Sequence, residues 1–189
     1  MALHDRPVRL TYDDYLLFPE DGQRHEIIDG EHYVSPAPTL KHQEILLELA
    51  LVLGNFLKAN RLGKLFVAPA DVVLSFYDVV QPDVVFVSKE RLHILTQANI
   101  QGGPDLAVEI LSRSTRKIDE GVKLAAYERF GVKEYWLVDP GRETMTVYRL
   151  EEDSFRKTAE LAAEAGGVLT TPLLPGLEVR LAEIFAEAR

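Results

Sequence analysis

The stretch DLAVEILSRSTRKIDEGVKLAAYERFGVKEYWLVD at residues 105–139 decides the fold. Its first part, at 105–111, is apolar except for two carboxylates and predicts a buried strand. An amphipathic helix follows at about 115–130, with Gly131 as its C-terminal stop, and EYWLVD at 134–139 predicts a second strand. A strand, a helix and a strand in this order favour a right-handed crossover between parallel neighbours.

The segments on either side predict the remaining helices and strands. A regular apolar stripe predicts a long helix at 40–60, which Thr39 can cap. The step Asp29-Gly30 between two short extended runs predicts a hairpin with a type I′ turn. Further predictions are a short helix at 11–18, strands at 65–68, 71–76 and 82–87, a hairpin at 144–150 and 154–160, and a last helix at 180–188.

These predictions define an α/β fold. We expect the strands at 71–76, 82–87, 105–111 and 134–139 to share one mixed β-sheet, because the strand–helix–strand unit supplies a parallel pair and the hairpins supply antiparallel ones. Helices flank this sheet, and extra β-hairpins lie towards both ends of the chain.

Length and composition are typical of one soluble domain. The chain has 189 residues, of which 47% are hydrophobic and 27% charged, so we expect a single domain over 1–189. No apolar run reaches the roughly 18 residues of a membrane span, and the N-terminus lacks the apolar core of a secretory signal. The absence of cysteine excludes disulfides and thiolate ligands and is consistent with a cytoplasmic protein.

Most signatures of common chemistry are absent from the sequence. It contains no Gly-x-Gly-x-x-Gly, no phosphate loop, no His-Glu-x-x-His and no Gly-x-Ser-x-Gly. The five histidines, at positions 4, 25, 32, 42 and 93, have no spacing typical of metal ligands. The acidic residues are therefore the main candidates for a site.

Two carboxylates stand out. Glu109 lies in the middle of a strand predicted to be buried, where a charge is costly unless it is paired, protonated or bound to a cation. Asp83 begins the strand at 82–87, which can be a neighbour of the Glu109 strand. Together they could hold a hard cation. A buried ion pair for Glu109 and a simple strand entry for Asp83 are the structural alternatives. Asp105 lies roughly 13 Å along the strand from Glu109, too far to share one ion.

A third carboxylate and one helix face complete the candidates. Glu26 lies in the predicted hairpin, where an exposed carboxylate is the alternative interpretation. Asp119, Lys123 and Tyr127 recur at i, i+4 and i+8 and so share one face of the helix at 115–130. An ordinary surface ion pair between Asp119 and Lys123 is the alternative there.

The net charge of −9 limits any nucleic-acid interface to a local basic patch, because phosphate contacts supply most of the affinity for nucleic acid. The best candidate for such a patch is Arg113, Arg116 and Lys117. A solvated start of the following helix is the alternative interpretation of these three residues.

The chain resembles the Uma-type putative restriction endonuclease family of bacteria, a branch of the PD-(D/E)XK nuclease superfamily. The similarity runs from about Thr11 to Phe185. It is carried by Gln81-Pro82-Asp83-Val84-Val85, Asp105 to Ser112, Ser114-Thr115, Asp119, Lys123, Tyr127 and Gly131 to Pro140. Upstream, His25 to Glu31 and Ser35 to Pro38 also match.

This resemblance implies a restriction-endonuclease-like fold and a Mg²⁺-dependent phosphodiesterase that hydrolyses DNA, with Mn²⁺ as a possible substitute. It implies that Asp83 and Glu109 hold the metal and that Glu26 lies at the edge of the site. In the superfamily a lysine two residues after the glutamate helps to position water, but this chain has Leu111 there. Lys123 matches a family lysine that can fill the same space.

Three residues would support that site, namely Tyr127, Asp119 and Gln81. Enzymes that cut both DNA strands commonly act as two-fold dimers, so we expect a homodimer, with the hairpin near 144–160 as its interface. The alternatives are a non-catalytic binding protein that retains the nuclease fold, favoured by the acidic charge and Leu111, and a hydrolase acting on another substrate.

Overall fold

The computed structural model describes residues 8–186. The α-helices are Tyr12–Tyr15 (α1), Leu40–Asn60 (α2), Leu124–Arg129 (α3) and Leu181–Ala186 (α4). The strands are Arg24–Ile28 (β1), Glu31–Ser35 (β2), Gly63–Val67 (β3), Val72–Ser75 (β4), Asp78–Val80 (β5), Val84–Ser88 (β6), Ile100–Gln101 (β7), Leu106–Ile110 (β8), Glu134–Asp139 (β9), Thr144–Glu151 (β10), Ser154–Ala162 (β11), Val168–Leu169 (β12) and Val179–Arg180 (β13).

Most of these strands form two sheets. The larger has the order β11-β10-β9-β8-β6-β3 and the smaller the order β2-β1-β5-β4-β7, while β12 and β13 form a short ribbon. The predicted strands at 82–87, 105–111 and 134–139 share the larger sheet. The prediction that 71–76 joins them is wrong. A tight turn connects β4 to β5, so these two pair locally as a hairpin, and β4 pairs with β7 on its other side.

The crossover at residues 105–139 has the predicted connectivity. Strands β8 and β9 are parallel, with Val108 opposite Trp136. The connecting helix is shorter than predicted. It begins at Ile118 with π-helical turns that run to Lys123 and continues as α3. Gly131 follows with a φ of 69°, the left-handed conformation expected of a helix stop.

The N-terminal half also follows the sequence. Asp29 and Gly30 have φ angles of 54° and 78°, as a type I′ turn requires, and they join β1 to β2. Helix α2 has the predicted bounds, and Thr39 accepts a hydrogen bond from the His42 N–H at its start. Arg61 caps the C-terminus of the helix in a left-handed conformation, before the predicted stop at Gly63.

The C-terminal half agrees except at its end. Strands β10 and β11 form the predicted hairpin. Helix α4 lies inside the predicted 180–188, and residues 187 and 188 fall outside the described part. No helix within residues 8–186 is long and apolar enough to cross a membrane.

Side chains alternate between the two faces of the larger sheet. One face packs on α2 and α4 and includes Val84, Val108 and Trp136. Trp136 is fully buried and its indole N–H donates to Glu134 Oε2 at 2.9 Å. The other face packs on α3 and includes Val85 and Ala107. Glu109 follows Ala107 by two residues and therefore projects to this second face.

We expect Gly30→Ala to lower the free energy of unfolding by more than Gly22→Ala. Both glycines have φ near 80°, so both alanines incur the cost of about 1–2 kcal/mol for a left-handed conformation. Only at Gly30 would the new Cβ also meet Arg9, at 2.6 Å from its Cβ, whereas Gly22 faces open space. Urea unfolding measures both, and equal losses would contradict the packing of Arg9 on this turn.

Candidate active site

The antiparallel pairing of β6 with β8 brings Asp83 and Glu109 together. Val84 lies opposite Val108 in the register of these strands. Asp83 is the residue before β6, and one step further along the same register it lies directly opposite Glu109. Side chains directly opposite each other project to the same face of a sheet, so the two carboxylates meet on the α3 side, as the sequence predicted.

Glu109 is buried, with 2% of its surface exposed. Lys123 Nζ and the Tyr127 hydroxyl both donate to Glu109 Oε1, each at 2.9 Å. Lys123 therefore lies close enough to Glu109 for a strong charge interaction. The alternative that put Lys123 on a solvent-facing surface is wrong, because only 2% of the residue is exposed.

Three carboxylates surround the ammonium group of Lys123. Its Nζ lies 2.8 Å from Glu26 Oε1, 2.9 Å from Glu109 Oε1 and 3.6 Å from Asp119 Oδ1. Glu26 comes from β1 in the smaller sheet and is 1% exposed, so its interpretation as an exposed hairpin carboxylate is wrong. The pair of Asp119 with Lys123 exists, but it lies in the protein interior.

Asp83 is held by a different set of groups. Arg24 donates to Oδ1 at 2.9 Å, while Oδ2 accepts from the Ile110 N–H at 2.7 Å and lies 3.1 Å from His42 Nε2. Burial alone would raise the pKa of this carboxyl. The hydrogen bond with His42 and the charges on Arg24 and His42 outweigh burial and lower the pKa of Asp83 to about 2. Asp83 is consequently ionised at neutral pH.

Sequence reasoning missed Arg24 and His42. Arg24 begins β1, two residues before Glu26, and His42 lies in the first turn of α2. Residues two apart on a strand share a face, so the spacing of Arg24 and Glu26 was a usable signal. His42 gave none, because its contact with Asp83 depends on how the start of α2 packs against the start of β6.

Gln81 supports the site through its backbone and its side chain. Its N–H donates to Glu26 Oε1 at 2.7 Å, and its amide Nε2 donates to Asp71 Oδ1 at 2.7 Å and to the Tyr15 hydroxyl at 2.9 Å. These bonds fix the chain just before Asp83. Gln81 thus contacts Glu26 directly and lies two residues before Asp83.

Negative charge exceeds positive charge in this cluster. Four carboxylates, from Glu26, Asp83, Glu109 and Asp119, face the permanent cations Arg24 and Lys123. Burial raises the pKa of the Glu109 carboxyl well above its usual value, and the other carboxylates outweigh part of the opposing effect of Lys123. Burial lowers the pKa of Lys123, but Glu109, Glu26 and Asp119 together raise it. Lys123 therefore stays charged, and the four carboxylates have only two permanent cations to balance them.

This excess charge suits a divalent cation. Mg²⁺ is commonly held by one or two carboxylates, with water and substrate oxygens completing its ligands, and Asp83 with Glu109 offers that number. Within residues 8–186, both hydrogen bonds to Glu109 end on Oε1, which leaves Oε2 for an ion. No group of three or more acidic or histidine side chains in the described part is arranged as a complete metal cage. An ion held by Asp83 and Glu109 would take its remaining ligands from water or substrate.

A cavity of about 520 Å³ opens onto these groups, and Asp83, Glu109, Asp119 and Lys123 line its floor. One wall is formed by the end of β2 and the start of α2, from 35 to 42, and the other by the loop 111–115. Leu111 lies in this wall and is buried among apolar side chains, so it contributes no charge to the site.

The structure separates the three residues of the predicted basic patch. Arg113 is exposed and lines the cavity, whereas Lys117 is exposed away from the cavity lining. Arg116 forms ion pairs with Glu120 at 2.9 Å and with Asp139 at 2.8 Å. Its charge is thus already balanced within the protein. Of the three, Arg113 is the one positioned to meet a ligand in the cavity.

Asp105 belongs to a separate ion cluster. It is fully buried, lies 2.6 Å from Lys133 and 3.5 Å from Arg91, and accepts a hydrogen bond from the Ser88 N–H at 2.7 Å. These contacts tie the start of β8 to the end of β6. They agree with the exclusion of Asp105 from a shared metal site.

The comparisons with known proteins agree with this geometry. The family model "Uma2: Putative restriction endonuclease" matches residues 12–182. The crystal structure of a protein from Anabaena variabilis ATCC 29413, titled a putative nuclease belonging to DUF820, aligns with a TM-score of 0.79 and 24% identity, covering 95% of this chain and 99% of that one. No curated protein matches. The predicted restriction-endonuclease-like mixed sheet flanked by helices, with its extra hairpins, is confirmed.

We expect Lys123→Met and Glu109→Gln to act in opposite directions on metal-free stability. Removing Lys123 leaves buried carboxylates without their cation and should cost roughly 3–5 kcal/mol. Glutamine at position 109 can still accept from Lys123 and Tyr127 and removes one of the excess negative charges. Its free energy of unfolding at pH 7 should therefore equal or exceed that of the wild type.

The increase in the free energy of unfolding caused by Glu109→Gln should also depend on pH. The pKa of Glu109 is raised in the folded protein, so the folded state binds more protons than the unfolded chain above about pH 4 and loses stability as pH rises. Glutamine removes this loss. Urea unfolding of the wild type and of Glu109→Gln from pH 4 to pH 8, without metal, measures this pH dependence. If Glu109→Gln instead lowered the free energy of unfolding by roughly 3–5 kcal/mol, Glu109 would be an essential ion-pair partner.

Proposed function

The chain belongs to the Uma2 family of putative restriction endonucleases, and from that premise we propose that it is a metal-dependent nuclease that hydrolyses phosphodiester bonds of DNA. The observation that carries the proposal is the meeting of Asp83 and Glu109 at the floor of a cavity, with Lys123 Nζ 2.9 Å from Glu109. Family membership supports nuclease activity in general. The ion, the substrate and the role of each residue are our proposal.

We propose that Asp83 and Glu109 hold Mg²⁺, for which Mn²⁺ could substitute. When bound, such an ion polarises the phosphate and neutralises developing charge. Asp83 is suited to this because it is ionised at neutral pH, its pKa being held at about 2. Glu26 would lie at the edge of the site, where it keeps Lys123 in place.

Lys123 would act through its charge. The surrounding carboxylates raise its pKa, so it does not serve as a base at neutral pH. Its ammonium can orient water or stabilise the pentavalent transition state by a fixed positive charge, a kind of contact often worth about 2.7–4 kcal/mol. Tyr127 supports this arrangement by donating to the same oxygen of Glu109 as Lys123 does, and Asp119 by holding the ammonium from a third side.

Two observations favour a second candidate function. Leu111 packs in the apolar core where nucleases of this superfamily would have a lysine, and the net charge is −9. A non-catalytic protein that binds a partner through the same cavity would have both features. Cleavage assays with matched variants distinguish the two candidates.

We expect the wild-type protein to cleave DNA with Mg²⁺ or Mn²⁺ and to lose activity in EDTA. Asp83→Asn and Glu109→Gln should abolish both cleavage and the rise in melting temperature on adding Mn²⁺, because a ligand that binds only the folded state stabilises it. Lys123→Ala should lower cleavage about 10²–10³-fold yet keep metal binding or improve it, since a competing charge is gone.

Lys58→Ala, an exposed substitution at the far end of α2, is the control for these variants. Cleavage by Lys123→Ala at the wild-type rate would remove Lys123 from the mechanism. Metal binding without cleavage of any DNA by the wild type would favour the non-catalytic candidate.

We also propose a two-fold homodimer formed through the hairpin of β10 and β11. Strand β11 is the outer strand of the larger sheet, and an unpaired outer strand can pair with its copy in a second molecule. Light scattering at micromolar concentration should give twice the monomer mass, and Thr158→Pro, in the middle of β11, should shift the protein towards monomer. A monomer at every concentration would refute the dimer.

A further inference from the structure

We infer that the cavity admits one unpaired nucleotide, so that the substrate is single-stranded or locally unpaired nucleic acid and intact duplex is excluded. The inference rests on the proposed nuclease function and adds the substrate class. Three features of the cavity carry it: its depth and volume, the apolar character of its walls, and the small number of cations that line it.

The depth of the carboxylates is the first feature. Asp83 and Glu109 are 1% and 2% exposed and lie at the floor of a cavity with walls on two sides. Its volume of about 520 Å³ falls within the range of small-molecule sites. An intact duplex is a stiff rod, so its backbone would have to enter the cavity together with its partner strand. A single nucleotide turned out of the stack can enter alone.

The walls supply the second feature. Pro36, Ala37 and Pro38 form an apolar stretch on one side, and Leu111 and Pro140 lie on the other. Enzymes that take one nucleotide out of a stack commonly enclose it between apolar or aromatic side chains. The sugar and base would pack on these walls while the phosphate points to the floor. In a duplex the bases are stacked on each other, so their faces are not available to pack on apolar side chains of a protein.

The cations supply the third feature. Arg24 and Lys123 line the cavity but are already paired with carboxylates. Among the described residues this leaves Lys41, at the start of α2, and Arg113, in the opposite wall, to meet the phosphates on either side of the nucleotide. A strong non-specific grip on a duplex can involve 6–10 phosphate contacts. Two cations on a chain of net charge −9 match a short segment of one strand.

One oligonucleotide, used alone and annealed to its full complement as a blunt duplex, tests the inference. Binding is followed by fluorescence anisotropy with EDTA, and cleavage with Mn²⁺. We expect the single strand to bind and to be cleaved at least about tenfold better, each tenfold corresponding to roughly 1.4 kcal/mol. Two phosphate contacts to a single strand predict a slope of log K against log[salt] near −1.4.

Two matched pairs of variants locate the effect in the cavity. Ala37→Trp should fill the cavity and abolish single-strand cleavage while Mn²⁺ still raises the melting temperature, whereas Ala98→Trp, on an exposed turn away from the cavity, should change neither. Lys41→Gln should weaken binding severalfold and reduce the salt slope by about 0.7. Lys58 lies about 25 Å from Lys41 along the same helix, so Lys58→Gln should leave binding unchanged.

The outcomes separate this inference from the proposed function. Equal or faster cleavage of the duplex overturns the substrate class and leaves the nuclease intact. Unchanged cleavage by Ala37→Trp overturns the placement of the nucleotide in the cavity. If neither the single strand nor the duplex is bound or cut, both the inference and the proposed function fail.

Discussion

The ammonium group of Lys123 is the point on which the rest of the structure depends. Carboxylates from β1, from β8 and from the π-helical turns at Ile118–Lys123 surround it, all in the protein interior. A buried charge is tolerated only when opposite charges and hydrogen bonds compensate its lost hydration. Each of these elements therefore depends on the others, and the smaller sheet, the larger sheet and the crossover helix meet at this cluster of charges, beside the apolar core they share. That meeting supports our proposal that the chain is a single domain.

The sequence predicted the parts of the site that local patterns encode. Glu109 was recognisable because a carboxylate interrupts an apolar strand, and Lys123 and Tyr127 because helical spacing placed them on one face. Arg24 and His42 were not recognisable, since they contact Asp83 from 59 and 41 positions away in the chain, respectively. The separation of β4 from the larger sheet was missed for the same reason. Its pattern predicts a strand but does not identify its partner, and a tight turn to β5 decided the pairing.

A lysine on the crossover helix changes how the site is assembled. A lysine at position 111 would have projected from the same strand as Glu109, two residues away. Leu111 instead fills the core, and the long side chain of Lys123 reaches Glu109 from the facing helix, with its stem buried along the way. The positive charge and the carboxylate thus sit on separate elements. Their distance depends on how the crossover helix packs on the sheet, and Lys123 is the last residue of its π-helical turns.

The position of the single tryptophan has a spectroscopic consequence. Trp136 is the only indole in the chain. It is fully buried on the face of the larger sheet that packs on α2 and α4, and it is bonded to Glu134. Glu109 projects to the opposite face. The intrinsic fluorescence of the protein therefore reports the integrity of the core beneath α2 and is shielded by the thickness of the sheet from events at the carboxylates.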